Sequence, residues 1–157
     1  MPNPSVKRTP GAPLETVEVR ASGVHGMGLF ARMPLRRGQL ISDYEGRRLD
    51  QHEALTCLRD GVTYLFALSD GGFIDGADGG NATRHLNHSC APNCHAQEFW
   101  RKGDLGVRIK TLRAIAEGEE LFLDYSLVID TNDDPKAYPC NCGTPTCRSS
   151  LVACASA

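Results

Sequence analysis

The sequence predicts a mainly β domain that is rich in loops. Short segments in which apolar and polar residues alternate are typical of strands, because successive side chains of a strand point to opposite faces. The 16 glycines and 9 prolines among 157 residues indicate many turns and irregular connections. We interpret as strands the segments 16–20, 28–32, 39–44, 62–68, 73–75, 105–112 and 120–123.

One helix is predicted, from residue 50 to about residue 58. Asp50 and Glu53 form a capping-box pattern, in which each side chain accepts a hydrogen bond from a backbone N–H group at the start of the helix. Ala54, Leu55 and Leu58 follow at helical spacing, so we expect them to share one face.

A hairpin is predicted to follow the helix. Residues 62–68 are rich in β-branched and aromatic side chains, and the turn-forming Asp70-Gly71-Gly72 comes directly after them. The chain then continues into a second short strand at residues 73–75.

The overall composition is that of one near-neutral folded domain. The chain has 17 Lys and Arg against 19 Asp and Glu, a formal net charge of −2, so we expect no direct nucleic-acid binding. No apolar run approaches the roughly 20 residues that span a bilayer, and the start of the chain lacks the apolar core of a signal peptide. We therefore expect no membrane association and an intracellular, reducing environment, either cytoplasmic or nuclear. Residues 1–13 are predicted to form a flexible tail.

Charge is distributed unevenly along the chain. Residues 114–135 contain seven Asp and Glu and no Lys or Arg, whereas residues 81–113 contain six Lys and Arg and two acids. Solvated loops would explain either run. The acidic segment would also attract a basic peptide.

The cysteines indicate a metal site. There are seven, an odd number, and Cys140, Cys142 and Cys147 lie on one loop with Gly and Pro, where three thiolates could bind a tetrahedral Zn²⁺. Unliganded thiols, or an open catalytic zinc with a bound water, are the alternatives. A closed structural site needs a fourth ligand, for which the candidates are Cys90 and Cys94 and, more weakly, His88 and His95.

Residues 84–94 form a dense polar segment between apolar ones. Asn87 and His88 either form hydrogen bonds within a turn or the core, or they contact a ligand. His88 with Cys90 could also form a nucleophilic pair. Taken alone, the motif does not decide between these roles.

Taken together and in order, the motifs resemble those of the SET-domain protein lysine methyltransferases, most closely of the trithorax type. The resemblance extends from about Val17 to Leu151. The matching motifs are Gly26-Met27-Gly28, Tyr44-Glu45-Gly46, Tyr64-Leu65-Phe66, Ile74-Asp75, Gly80-Asn81, Arg84 to Asn93, Glu120 to Tyr125, and Tyr138 to Cys147.

The resemblance implies a SET fold of small β-sheets, with a threaded pseudoknot formed by the segments around Asn87-His88 and Asp124-Tyr125. It implies a SET domain over residues 14–134 and a zinc-bound post-SET segment over residues 135–157. It also implies two bound groups, S-adenosylmethionine as cofactor and a structural Zn²⁺.

The resemblance further implies roles for individual residues. Tyr125 and Tyr44 are implied to be catalytic. The implied zinc ligands are Cys90, Cys140, Cys142 and Cys147. The residues implied to contact S-adenosylmethionine are His25, Gly26, Met27, Gly28, Tyr64, Asn87, His88 and Asn141.

The sequence departs from the family pattern at three positions. Met27 stands where the trithorax type has a basic residue, and His85 replaces the usual Phe. Leu123 occupies the position of the Phe or Tyr that narrows the lysine channel.

The function predicted from this resemblance is S-adenosylmethionine-dependent methylation of lysines in a protein substrate, such as a basic histone tail. A catalytically silent SET-like module that binds a lysine-bearing peptide or a partner protein is the first alternative. The second alternative is an interaction domain that a bound zinc ion stabilises.

Overall fold

The computed structural model describes residues 14–59 and 64–154. The predicted flexible tail, residues 1–13, lies outside the described residues. The described elements are strands β1 (Val17–Ala21), β2 (Met27–Ala31), β3 (Leu40–Asp43), β4 (Arg47–Leu49), β5 (Leu65–Ala67), β6 (Phe73–Asp75), β7 (Asn87–His88), β8 (Cys94–Arg101), β9 (Asp104–Thr111) and β10 (Glu120–Leu123), helix α1 (Gln51–Arg59), and 3₁₀ helices at Ala82–His85 and Pro135–Ala137.

These strands form three small sheets, which confirms the predicted mainly β class. The strand orders are β1-β2-β10-β7, β3-β9-β8 and β4-β6-β5. The short β7 pairs in parallel with β10, so that Asn87 lies opposite Phe122 and His88 opposite Leu123. Because β10 also pairs with β2, one strand joins three distant parts of the sequence.

The core is built from the alternating positions of these strands. In β9, Leu105, Val107, Ile109 and Thr111 are buried while the residues between them are more exposed. Each fully buried aliphatic side chain contributes about 1.5–3 kcal/mol relative to an exposed one. Leu29 and Leu121, paired across β2 and β10, extend the same core beneath the first sheet.

The capping box and the hairpin are confirmed. The backbone N–H of Glu53 donates to Asp50 Oδ1 (2.9 Å), and that of Asp50 donates to Glu53 Oε2 (2.9 Å). Strands β5 and β6 pair in antiparallel register around the predicted turn. Residues 62 and 63 of the predicted first strand lie outside the described residues. The apolar face of α1 is only partly as predicted, because Ala54 is buried but Leu55 is exposed to solvent.

Three strands, β4, β7 and β8, were not expected from the sequence. β4 and β7 have only three and two residues, too few to show a pattern. β8 is a sheet edge in which one residue is buried, so its sequence carries no alternation of apolar side chains. Within the described ranges, no helix has the length and apolar character needed to span a membrane.

Candidate active site and metal centre

A hydrogen-bond network joins the loop before β2 to strands β7 and β10. The Asn87 side-chain amide lies within hydrogen-bond distance of the carbonyl oxygens of His25 (2.9 Å) and Met27 (3.0 Å) and of Glu120 Oε1 (3.0 Å). Ser22 Oγ donates to Glu120 Oε2 (3.0 Å). The loop at residues 22–28 is thus held by one amide and one carboxylate from distant strands.

Two glycines make this loop compatible with the network. Gly26 has φ = +47°, in the left-handed region where a side chain is unfavourable. A Cβ atom on Gly28 would lie 2.1 Å from Glu120 Oε1. Gly28 therefore leaves the space that the Glu120 carboxylate occupies.

Tyr125 lies at the end of β10, beside this network. Its hydroxyl donates to the Leu86 carbonyl oxygen (2.5 Å), and its backbone N–H donates to His88 Nδ1 (2.9 Å). Its ring packs edge-on against the His88 ring, with centroids 5.4 Å apart. Although Tyr125 is 41% exposed, desolvation around its hydroxyl, with a smaller contribution from Tyr64, raises its pKa to about 12.

Tyr44 is a second tyrosine of the same cluster. Its side chain is buried, and its hydroxyl donates to the Tyr64 carbonyl oxygen (2.6 Å). Burial raises the pKa of Tyr44 above its usual range, and the nearby Tyr125 raises it further. Phe66 packs against Tyr44 with ring centroids 5.2 Å apart. The tyrosines at positions 44, 64 and 125 therefore lie near one another.

The four predicted zinc ligands lie together. The sulfur atoms of Cys90, Cys140, Cys142 and Cys147 are all within 4.8 Å of one another. The Sγ atoms of Cys90 and Cys140 are 3.7 Å apart, close to the roughly 3.8 Å edge of a tetrahedron with Zn–S bonds of about 2.3 Å. Four thiols in this geometry fit a closed structural zinc site.

Of the four candidates for the fourth ligand, the cluster contains Cys90. Cys90 supplies its sulfur, whereas Cys94 is buried in the core, where burial raises the pKa of its thiol to about 12. His95 is exposed on β8. His88 contacts the cluster from outside, with Nε2 3.4 Å from Cys90 Sγ.

An ion pair connects the cysteine cluster to β10. The Arg148 guanidinium donates two hydrogen bonds to the Asp124 carboxylate (2.9 Å each), and the Arg148 backbone N–H donates to Cys90 Sγ (3.3 Å). The guanidinium holds the pKa of Asp124 below its usual range. Because Asp124 precedes Tyr125, contacts run continuously from the sulfur cluster to the tyrosine hydroxyl.

The structure brings most of the predicted site residues together. His25, Gly26, Met27, Gly28, Asn87 and His88 meet at one edge of the first sheet, next to Tyr125. Asn141 is exposed on the cysteine loop, and no described contact joins its side chain to the network.

Sequence reasoning missed four residues that hold this site: Ser22, Glu120, Asp124 and Arg148. Three of them carried a signal, because Glu120 and Asp124 lie in the motif that ends at Tyr125 and Arg148 directly follows a predicted zinc ligand. Ser22 carried none, since its partner Glu120 is 98 positions away.

Comparison with known proteins agrees with this arrangement. The SET domain family profile matches residues 26–126, a range that includes the glycine loop, β7 and Tyr125. The chain belongs to the SET domain family.

Its relatives include enzymes of the trithorax type, as the motifs predicted. The chain is 35% identical to human histone-lysine N-methyltransferase 2B over 142 residues, 87% of this chain and 5% of that protein. It is 35% identical to the H3 lysine-4 specific histone-lysine N-methyltransferase of Candida albicans over 83% of this chain and 13% of that protein. It is 34% identical to the histone-lysine N-methyltransferase trithorax of Drosophila melanogaster, over 86% of this chain and 4% of that protein. The chain thus spans a small part of the length of these relatives.

Proposed function

We propose that the chain is an S-adenosylmethionine-dependent protein-lysine N-methyltransferase. The observation that carries this proposal is the pairing of β7 with β10, which sets the Asn87 network and the Tyr125 hydroxyl side by side. The names of the relatives support the reaction class. The cofactor, the site roles and the substrate below belong to the same proposal.

The residues at the glycine loop suit the cofactor. His25, Gly26, Met27 and Gly28 would contact it through the loop, Asn87 and His88 from β7, and Tyr64 and Asn141 from the two flanking segments. Asn87 uses its amide nitrogen within the protein, whereas its Oδ1 has no hydrogen-bond partner among the described residues. That oxygen can accept from an ammonium group. S-adenosylmethionine, when bound, supplies a methyl group on a positively charged sulfur.

The lysine amine must reach this methyl group in its neutral form. An unperturbed lysine has a pKa of about 10.4, and apolar surroundings lower it because they disfavour the charged amine. Leu123 is buried and Phe122 and Phe66 are half-buried, and we assign these three side chains to the channel wall. S-adenosylmethionine would supply the methyl group to the neutral nitrogen, the sulfur would keep the electron pair of the broken bond, and the proton of the amine would leave to solvent.

The two tyrosines act as hydrogen-bonding groups. With a pKa of about 12, the Tyr125 hydroxyl keeps its proton at neutral pH, so its role is to orient the amine rather than to remove a proton. The Tyr44 hydroxyl likewise donates a hydrogen bond to the Tyr64 carbonyl oxygen. This contact would fix the position of Tyr44 beside the lysine channel. Orientation of this kind supplies much of the rate in pre-organised displacements.

The metal would be structural. Zn²⁺ bound by the four cysteines would join Cys90, next to β7, to the loop at residues 140–147. We assign residues 14–134 to the SET domain and residues 135–157 to the post-SET segment on this basis. Four thiolates favour a reducing compartment, which we propose to be the cytoplasm or the nucleus.

The substrate is proposed to be a lysine in a basic protein segment. The human relative is named as a histone-lysine N-methyltransferase, and the Candida albicans relative is named as specific for lysine 4 of histone H3. Near the site, the segment 124–134 carries four Asp residues and no Lys or Arg, which favours a basic partner. A histone tail is the substrate class that fits both observations.

The test is transfer of a labelled methyl group from S-adenosylmethionine to core histones and to a mixed lysate by zinc-loaded protein. Tyr125→Phe should abolish transfer and leave cofactor affinity nearly unchanged, while Tyr138→Phe, a matched control outside the tyrosine cluster, should stay active. Unchanged transfer by Tyr125→Phe would refute the assigned role. Absence of transfer by protein that binds the cofactor would favour the silent binding module.

A further inference from the structure

The side chain of His88 joins the cysteine cluster directly to Tyr125. It is only 2% exposed, so its two ring nitrogens lie in the interior, where polar groups need hydrogen-bond partners. Nδ1 lies 2.9 Å from the backbone nitrogen of Tyr125, and Nε2 lies 3.4 Å from Cys90 Sγ. The imidazole ring thus spans the space between a proposed zinc ligand and the tyrosine of the proposed active site.

The partner of Nδ1 determines where the ring hydrogen lies. A backbone N–H can only donate, so Nδ1 accepts from Tyr125 and carries no hydrogen itself. The Asp124 carboxylate also lies near Nδ1, but 3.7 Å is too long for a hydrogen bond, and this carboxylate accepts from Arg148 instead. The ring hydrogen therefore lies on Nε2 and points at the Cys90 sulfur.

The sulfur of Cys90 suits this donor. A thiolate bound to a metal can only accept hydrogen bonds, whereas a free thiol can also donate one. Cys90 Sγ receives the ring N–H of His88 and the backbone N–H of Arg148. Among the described residues, the printed hydrogen-bonding neighbours of the other three sulfurs outside the cluster itself are backbone groups and one hydroxyl. The imidazole is thus the side chain that connects the metal centre to another part of the protein by a hydrogen bond to sulfur.

The same ring holds Tyr125 in two ways. It accepts from the Tyr125 backbone, and it packs edge-on against the Tyr125 ring. The Tyr125 hydroxyl in turn donates to the carbonyl oxygen of Leu86, two residues before His88. Both ends of the tyrosine therefore depend on the segment that carries His88.

We propose that His88 is a positioning residue that couples zinc binding at Cys90 to the placement of Tyr125. Its Nε2–H donates to the metal-bound sulfur, and its Nδ1 accepts from the Tyr125 backbone. The inference rests on the proposed function, because it concerns the same site. It adds a reason why the metal, which takes no part in the transfer step, would affect the rate.

The ring hydrogen can be located directly by NMR of the ¹⁵N-labelled full chain. Protonated and unprotonated ring nitrogens resonate separately, and two-bond ¹H–¹⁵N correlations assign them to Nδ1 or Nε2. The chain has five histidines, and the signals that disappear in His88→Asn identify this one. We expect the Nε2–H form in zinc-loaded protein. After replacement of zinc by ¹¹³Cd, we also expect a correlation between this hydrogen and the metal through the Cys90 sulfur.

Two substitutions separate the two contacts of the ring. The Asn side-chain amide reaches the position of Nδ1, and the Gln amide reaches that of Nε2. His88→Asn should keep the acceptor for Tyr125 and lose the donor to Cys90, so its zinc affinity should fall by about 10- to 100-fold in chelator competition. His88→Gln should bind zinc nearly as wild type does but show faster amide hydrogen exchange at Tyr125. His95→Asn, at an exposed position on β8, is the control and should change neither quantity.

The kinetic readout follows the same division. At saturating zinc, His88→Asn should retain a higher kcat than His88→Gln, because it retains the acceptor that holds Tyr125. A merely structural histidine would instead lower zinc affinity, Tyr125 protection and kcat together in both variants.

The crossed pattern of the two variants, together with the Nε2–H form, supports the proposal. A hydrogen on Nδ1 in the zinc-loaded protein would overturn it, as would equal effects of the two substitutions on zinc affinity and on Tyr125 exchange. If neither variant folds, the ring hydrogen and the ¹¹³Cd correlation of the unsubstituted chain still decide. These readouts do not require turnover. A chain that shows the crossed pattern but transfers no methyl group would contradict the proposed function and leave the connection between metal centre and Tyr125 in place.

Discussion

Replacing Arg148 by Gln should weaken both the fold around Tyr125 and the metal centre. The side chains of Arg148 and Asp124 are only 20% and 30% exposed, and two hydrogen bonds of 2.9 Å join them. In its degree of burial this pair is intermediate between two kinds of ion pair. An exposed pair contributes about 0.2–1 kcal/mol, and disruption of a buried pair costs about 3–5 kcal/mol. We therefore expect a loss of about 1–3 kcal/mol in the free energy of unfolding. For a domain of this size that lowers the thermal midpoint by about 2 to 12 °C.

The assay is a double-mutant cycle on zinc-loaded protein. Arg148→Gln, Asp124→Asn and the double variant are compared by denaturant unfolding and by competition for zinc with a chromogenic chelator. The ion pair also holds the Arg148 backbone, whose N–H donates to Cys90 Sγ. Because Arg148→Gln removes the ion pair, this variant should release zinc more readily than wild type. Arg36→Gln, an exposed arginine without a described ion pair, is the matched control.

The cycle can refute this reasoning. A coupling free energy of at least about 1 kcal/mol is expected for a bidentate pair of this kind. If the two single losses add to within about 0.3 kcal/mol in the double variant, the ion pair does not stabilise the fold. If Arg148→Gln retains zinc as well as the control does, the proposed connection between metal centre and β10 is wrong.

Three further predictions concern the same region. The difference in thermal midpoint between wild type and Arg148→Gln should shrink as the pH falls below about 4. The lowered pKa of Asp124 stabilises the fold at pH values above the pKa of an unfolded Asp, about 3.9, and this effect is lost as the carboxylate is protonated. A pH series of melting curves tests this, and a constant difference would contradict it. Gly28→Ala should lower S-adenosylmethionine affinity in calorimetry, because its Cβ would displace the Glu120 carboxylate at 2.1 Å, while Gly23→Ala, with nothing within 4 Å of its Cβ, should bind normally. Removal of zinc by a chelator should increase amide hydrogen exchange at residues 138–153 more than in β9; uniform protection would count against a structural metal.

Several features of the fold could be predicted because short-range patterns encode them. The capping box of Asp50 and Glu53 needs only a three-residue spacing, and β9 shows its alternation within eight residues. Strand β8 could not be recognised, since its edge position leaves it without a buried face. Its side chains are therefore not selected by packing, and no periodicity records the strand.

The site was predicted by motifs rather than by periodicity. The loop with three cysteines indicated a metal from its residue types alone, but the residues left the fourth ligand open between two cysteines and two histidines. The resemblance to SET domains implied Cys90, and the sulfur positions agree. The supporting contacts of Glu120 and Arg148 were not anticipated, because each partner lies 24 to 98 positions away.

What the sequence determined by itself was the class of the protein, its β character, the acidic segment and the residue types of the metal centre. Only the tertiary structure decided which distant groups meet: Asn87 with Glu120, Arg148 with Asp124, and Cys90 with the loop at residues 140–147. It also decided that Trp100 is exposed rather than buried. The reason is physical. Local hydrogen bonds and alternation depend on neighbours a few residues apart, whereas these contacts form only when the packing of three sheets brings distant strands together.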